Sequence, residues 1–446
     1  TFALLFRLSL RRGGSVVASL FLLILAFGAS SIHLFARPHI VSWLLTITCF
    51  QILDSSGPLN IHTNANTNTN NKDHFYSLPV IMLFWANVHG GFLMGFVLLG
   101  IYFASGVIQF FLRPEERVQI LVWLQRLGTV SILSLLATFL NPYGSKLYLH
   151  IYGYLTDRWL MDHIDEFRSP NFHGLAQQCF ILLLLVAIAA LVWSRQKPRI
   201  SQVLVILFAV HSGFYAARNL PISCMLLVLI VAPMIVSPMI VAPVIGAPVP
   251  STGIFEEGSE RKEGSERKGR PLFGLLNRFR SFNQRMGAQE FYLRGHVWPV
   301  AAVVLLFLIC AHGGHFNSRR IMDAHFDPAH FPVGASDWIA QKHIAGPIFA
   351  PDAWGGYLIY RFAPEPMVFV DDRHDLYGTA FLKDYVEVVQ VLPDWRKVLD
   401  QDKLKLVLVP KNSSLANILR ETPQWKAVYE DRTAALFQRG ESATGN

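Results

Sequence analysis

Residues 176–194 read AQQCFILLLLVAIAALVWS, a run without one charged side chain. The hydrocarbon core of a bilayer takes about 20 apolar residues per helix, with a range of about 17–25. This run is long enough to cross. Working outward, comparable runs lie at 15–35, 79–101, 121–140, 200–217 and 221–237; shorter ones at 39–53 and 297–311 need a thin or tilted placement. None carries a polar stripe at helical spacing, as suits helices surrounded by lipid and one another. The reading is an α-helical polytopic membrane bundle of about eight spans, followed by a small α/β extracytoplasmic domain.

Composition agrees. Of 446 residues, 52% are hydrophobic and 16% charged, where soluble domains carry about 45–50% apolar and about 25% charged residues. Mean hydropathy is +0.35. An ordinary soluble enzyme, a disordered chain and a collagen-like chain are all excluded. The net charge of +8 is spread among apolar blocks, with no basic stripe interleaved with exposed aromatics. Membrane lipid, and no nucleic acid, is the expected partner. Cys49, Cys179, Cys224 and Cys310 stand far apart inside apolar runs and read as small buried hydrophobes rather than disulfides or zinc ligands. The sequence opens on Thr1 without a charged n-region or cleavage site, and reads as a chain that begins inside a longer protein.

Lys and Arg accumulate on the cytoplasmic side of spans. Residues 250–296 hold nine Lys/Arg and six Glu, the loop 195–199 carries Arg195, Lys197 and Arg199, and Arg113 and Arg117 follow residue 112. With eight spans these loops share one side, taken as cytoplasmic, and Arg37 joins them. Arg7, Arg11 and Arg12 then fall outside, against the charge rule, as an interfacial segment. Two stretches are low-complexity: NIHTNANTNTNN at 60–71 and the GSERKEGSERKG duplication at 258–269. The Pro-rich run after 231 is expected to end the helix that starts at 221 near 237.

Composition shifts after residue 311, dividing the chain into a transmembrane domain at 1–311, with the charged linker 250–296, and a soluble domain at 312–446. Residues 316–446 carry 15 Lys/Arg and 17 Asp/Glu, net −2. Helices are expected at 335–344, 379–391 and 413–420, and a helix or turn at 353–361. Strands are expected at 348–350, 367–370 and 404–410, with two short ones near 426–430 and 433–437. That alternation predicts a small α/β sandwich.

Several stretches resemble a known family: FWANVHGGFLMG at 84–95, ATFLNPYG at 137–144, HIDEFRSPNF at 163–172, ARNLPI at 217–222 and IFAPDAWGGYLIYRFAPEPMVFVDDRHDLYG at 348–378. They are similar to bacterial multi-span proteins described as glycosyltransferase-like, of the GT-C membrane superfamily. The resemblance covers nearly the whole chain. It implies transfer of a sugar from a polyprenyl-phosphate donor at the outer face of the bacterial inner membrane. It also implies an acid in a first outer loop, which here would precede Thr1, since no acidic residue occurs before Asp54. The other reading is a non-catalytic membrane-anchored protein whose outer α/β domain binds glycan or protein.

Candidate residues follow. The loop 141–175 gathers Asp157, Asp162, His163, Asp165 and Glu166. Carboxylates there suit a Mg²⁺ or Mn²⁺ ion on Asp162, Asp165 and Glu166, or a general base; the bland reading is a solvated interfacial loop. Glu166, inside the EFxSP pattern of the resemblance, is the catalytic candidate. Asn87 and His89 lie in or near an apolar span, where polar groups face a cavity or another helix. Arg218, with Asn219, follows a span and suits a donor phosphate. In the tail MVFV runs into Asp371, Asp372, Arg373, His374 and Asp375; an acidic cluster at the carboxyl end of a strand is a ligand-site candidate, or a turn of self-satisfied carboxylates. His312, His315, His325 and His330 lack metal-site spacing.

Overall fold

In lipid every backbone polar group must be bonded within its own segment, and the apolar runs accordingly form helices. The computed structural model describes residues 1–34, 37–57, 74–194, 197–240, 271–293, 295–323, 325–344, 346–364, 368–401 and 404–440. The Asn/Thr stretch, the charged duplication and most of the Pro-rich run lie outside these. The chain divides into two compact units, Thr1–Leu306 and Phe307–Asn446. The division falls inside the last apolar helix, a few residues before the composition shift.

The first unit is helical: α1 (Phe2–Arg11), α2 (Val16–Ser30), α3 (His39–Ser55), α4 (Leu78–Val88), α5 (Leu93–Leu112), α6 (Arg117–Thr138), α7 (Lys146–Thr156), α8 (Arg158–His163), α9 (Leu175–Trp193), α10 (Ile200–Tyr215), α11 (Leu220–Ile240), α12 (Pro271–Tyr292) and the start of α13 (Val297–Ala311). Five stretches of the described residues are long and apolar enough to cross a membrane: Val16–His33, Gly90–Leu112, Pro114–Thr138, Leu175–Trp193 and Ala217–Ile235. Shorter apolar helices are His74–Val88, Ile200–Tyr215 and Val297–Ala311. By length and composition the chain is a multi-pass membrane protein with five such helices among the described residues; the expected runs at 39–53, 200–217 and 297–311 form shorter ones. α11 runs to Ile240, past the expected end near 237. It is apolar all round, and Cys224 to Ala232 are all buried, the mark of a central helix. α1, α2, α9 and α10 pack around it. A Cβ added to Gly28 of α2 would stand 2.7 Å from Cys179 Sγ of α9, so the missing side chain lets these two helices approach. Cys49 and Cys224 are buried and Cys179 is half-buried, but Cys310 is exposed on α13, because little of α13 is covered by protein.

The run 79–101 is not one span. It breaks at His89, whose backbone is extended at φ −160° and ψ 139°. The cause is the imidazole itself: Nδ1 accepts the Gly91 N–H at 3.0 Å, taking a donor that a continuous helix would give to the carbonyl four residues back. α4 therefore stops and α5 starts afresh through a short 3₁₀ turn. The ends of the helices accordingly find partners that the sequence reading did not expect. Arg12 and Arg199 both reach Asp54 at the end of α3, and Arg113 lines the same cavity. Arg37 instead precedes His39, which lies with Glu166 and Arg218. Arg12, expected on the side opposite the 195–199 loop, thus shares a helix end with Arg199.

The second unit opens with a hairpin, β1 (His315–Phe316) and β2 (Arg319–Arg320), and continues through α14 (Val333–Lys342), β3 (Ile348–Phe349), α15 (Asp352–Phe362), α16 (His374–Val389), α17 (Trp395–Gln401), β4 (Leu406–Pro410), α18 (Ser414–Glu421), β5 (Trp425–Glu430) and β6 (Ala434–Arg439). The sheet order is β3-β4-β6-β5. β3 and β4 are parallel, and the other pairs are antiparallel. Leu406 to Val409 are buried without alternation, as for a strand covered on both faces. The strand expected at 367–370 shrinks to one parallel bridge between Val368 and Ile348, because the chain turns at Asp371.

α15 lies against that turn. A Cβ on Gly355 would sit 2.2 Å from the Val370 carbonyl oxygen, whereas one on Gly356 would meet nothing within 4 Å. Gly355→Ala should therefore lower stability by about 1–3 kcal/mol through overpacking. Gly356→Ala should be neutral or gain up to about 1 kcal/mol from helix propensity. Thermal unfolding of both variants, followed by tryptophan fluorescence, checks the contrast.

Candidate functional site

Five places along the chain bring titratable side chains together at one end of the helical unit. His33 ends the α2 stretch, His39 opens α3, His89 marks the α4–α5 break, and Glu166 and Arg218 lie in the loops after α8 and α10. His33 and His89 are each within electrostatic reach of His39, Glu166 and Arg218. The Arg218 guanidinium stands 3.7 Å from Glu166 Oε1 and 4.4 Å from the centre of the Phe167 ring, a cation–π distance. The Ala217 N–H donates to the Arg168 carbonyl at 3.0 Å, which joins the two loops. Glu166 and Arg218 are each about one-third exposed, and a pair that open is worth about 0–1 kcal/mol.

The orientation of His89 is fixed from behind. Trp85 Nε1 donates to Ser42 Oγ at 2.8 Å, and Ser42 Oγ lies 2.8 Å from His89 Nδ1. With the indole donating to its oxygen, the Ser42 hydroxyl gives its own proton to Nδ1, which also accepts from Gly91 N–H. Nδ1 is an acceptor in both contacts, so the ring proton of neutral His89 sits on Nε2. A Cβ on Gly91 would come within 2.7 Å of both His89 Nδ1 and Ser42 Oγ, which explains the glycine of the HGG motif.

The other membrane candidates have structural partners. Asn87 Nδ2 donates to the carbonyls of Leu83 and Leu140, and Asn219 Nδ2 to that of Ser212; both occupy helix-end carbonyls. Asp162 and Asp165 are exposed, and Asp165 faces Arg168 at 3.4 Å while Glu166 turns to Arg218. The expected cation ligands are thus not gathered. Among the described residues no group of three or more His, Cys, Asp or Glu is arranged to hold a metal ion. His33, His39 and Ser42 did not stand out in the sequence, although SIHLFARPH sets two histidines around a span boundary.

At the opposite end lies a second polar cluster that the sequence did not reveal. Asp54 is buried, with 1% of its side chain exposed. Its carboxylate accepts from Arg12 Nη2, from Arg199 Nη2 at 2.5 Å and from Tyr102 OH at 2.8 Å. Arg12 continues to Gln51 Oε1 at 3.0 Å and the Leu229 carbonyl at 3.1 Å. Beside it a cavity of about 50 Å³ is lined by Tyr102, Ser105, Gln109, Arg113, Trp123 and Arg199. This cluster ties α1, α3, α5 and α10 together.

In the second unit Asp371 is 2% exposed and is bonded by its neighbour. Arg373 donates to it from the backbone N–H at 2.9 Å, from Nε at 3.0 Å and from Nη2 at 2.5 Å. Burial alone would raise its pKa, but the Arg373 bonds and charge hold it below the usual carboxylate range. The turn is self-satisfied. Asp372 is exposed, and the side chain of Asp375 lies outside those described. The motif's contact with α15 runs through His374, whose Nε2 is 2.8 Å from Asp352 Oδ2. Tyr385 OH donates to Asp352 Oδ1 at 3.1 Å and accepts from the Asp352 N–H at 2.9 Å. Burial opposes ionisation of Asp352, yet the His374, Ala353 and Tyr385 hydrogen bonds lower its pKa. This trio fastens the first turns of α15 and α16.

Comparison with protein-family models found no match, and neither did comparison with curated proteins.

Proposed function

We propose that this chain is an integral-membrane, glycosyltransferase-like protein that takes a sugar from a polyprenyl-phosphate donor at the outer face of a bacterial inner membrane. The observation that carries the reading is the convergence of His33, His39, His89, Glu166 and Arg218 from five places along the chain at one bundle end. A lipid-linked donor would present its phosphate there. Arg218 and the Nε2–H of His89 are donors suited to phosphate oxygens. In transfer the bond from the sugar's anomeric carbon to the phosphate oxygen breaks and a bond to the acceptor oxygen forms. Glu166 would take the acceptor's proton, and polyprenyl phosphate would leave. A donor analogue carrying a photoreactive group near its phosphate tests this: crosslinks should map to 33–42, 89–91 and 165–172. Crosslinks scattered over lipid-facing residues would contradict it.

The topology belongs to the same proposal. The three shorter apolar helices and α3 would cross as well as the five long ones, giving nine crossings where the sequence count was about eight. Arg12, Arg113, Lys197 and Arg199 would then lie with the basic linker in the cytoplasm, and the α/β unit outside. Cysteines introduced at Asp165 and Lys426 should react with an impermeant reagent on intact cells, and one at Lys197 only after lysis. The reverse pattern overturns the arrangement.

The second reading, a non-catalytic anchor for a glycan- or protein-binding domain, is favoured by the Glu166–Arg218 contact if that pair serves only to lock two loops. Substitution of either residue would then lower stability without affecting donor crosslinking.

A further inference from the structure

α13 has 15 residues, which at about 1.5 Å per residue gives about 22 Å of helix. The hydrocarbon core is about 30 Å thick. A spanning helix that short needs apolar or interfacial groups from its flanks, and the residues after it are of that kind. Phe316, Ile321 and Met322 are exposed. Arg319 is exposed and pairs across the hairpin with Phe316, and its guanidinium makes no ion pair or hydrogen bond among the described residues.

The hairpin cannot swing away from the helix end. The Gly314 N–H donates to the Ile309 carbonyl at 2.9 Å, and the Gly314 carbonyl accepts from Ile321 N–H at 2.8 Å and Met322 N–H at 3.0 Å. Gly314 holds φ +83°, and a Cβ there would stand 1.7 Å from the Met322 carbonyl oxygen. Only glycine fits this turn. Further along, Phe326 packs on Tyr357 and Tyr360 of α15, with ring centres 4.6 and 5.6 Å apart.

We propose that the hairpin His315–Arg320 and the following Ile321 and Met322 form a lipid-docking surface. Phe316, Ile321 and Met322 enter the boundary between headgroups and acyl chains, and Arg319 meets lipid phosphate. The pairing of aromatic or aliphatic side chains with arginine is the chemistry of interfacial segments. This inference rests on the reading of α13 as a spanning helix.

The test uses the whole chain in lipid vesicles containing anionic lipid, its native cysteines replaced, with one spin label at 306, 316 or 426. Collision with oxygen reports the membrane interior, and collision with a water-soluble nickel chelate reports solvent. A deep label at 306, a boundary label at 316 with nickel collisions several-fold below those at 426, and loss of that protection in Ile321→Asp and Arg319→Glu support the proposal. If 306 is deep but 316 is as open to nickel as 426, the docking surface fails while the spanning helix stands. If 306 is open to nickel, the spanning reading fails and takes the proposal with it. A label at 316 shielded from both reagents places a second copy or another protein on the hairpin and overturns lipid docking.

Discussion

Replacing Asp54 with alanine is expected to destabilise the helical unit by about 3–5 kcal/mol, because it leaves the largely buried Arg12 guanidinium without its carboxylate. Asp54 is almost fully buried and Arg12 is 12% exposed, so water cannot substitute. Tyr102 OH would also lose its acceptor at 2.8 Å, adding an unsatisfied buried donor. Thermal unfolding of the detergent-purified chain measures the loss. Asp54→Asn should fall short of wild type too, since it keeps an acceptor for Tyr102 but removes the charge. Replacing the three partners together, with Arg12→Met, Asp54→Leu and Arg199→Met, should recover most of the stability, since an apolar set of similar volume needs no desolvation of charge. A single alanine variant that unfolds with wild type would show that this cluster does not hold the helices together.

Arg218→Ala and Glu166→Ala are each expected to reduce sugar transfer by about a hundred- to a thousand-fold, the range for removing one preorganised group that stabilises transition-state charge. Protein level should hold, because the exposed pair contributes only about 0–1 kcal/mol to stability. Asn219→Ala makes the useful contrast. Its amide occupies the Ser212 carbonyl at the end of α10, so its loss should lower stability and leave the rate of the folded protein close to wild type. Ser42→Ala lies between these cases, for it removes the hydroxyl that faces His89 Nδ1. Transfer assayed in membranes, with expression measured alongside, separates the outcomes. Unchanged rates in both Arg218→Ala and Glu166→Ala would remove these residues from the reaction.

The membrane character was legible because lipid demands long apolar runs, and 176–194 needs no context to be read. The strands at 348–350, 404–410 and 426–430 were legible from short apolar runs bounded by turn residues. The break at His89 was not, since hydropathy cannot see an imidazole that takes the Gly91 N–H. That single miss separated Arg12 from the 195–199 loop, whereas Arg12 and Arg199 bond the same Asp54. Glu166, His89 and Arg218 were found as polar groups at the ends of apolar runs. Asn87 and Asn219 carried the same signal but bond backbone carbonyls, a distinction that depends on which helix end lies nearby. Asp54 was passed over because a lone acid at the edge of a run has no sequence neighbour to announce its partners. Arg12 lies 42 positions away and Arg199 145.

The central claim is that the end of the bundle holding Glu166, His89 and Arg218 binds a polyprenyl phosphate. Equilibrium binding of that lipid to the purified chain in bilayer discs, with wild type compared to Arg218→Ala, addresses it most directly. A charge-assisted hydrogen bond is worth about 1.5–3 kcal/mol, so the variant should bind about ten- to a hundred-fold more weakly. Equal affinity for wild type and variant, or no saturable binding to wild type, would contradict the account.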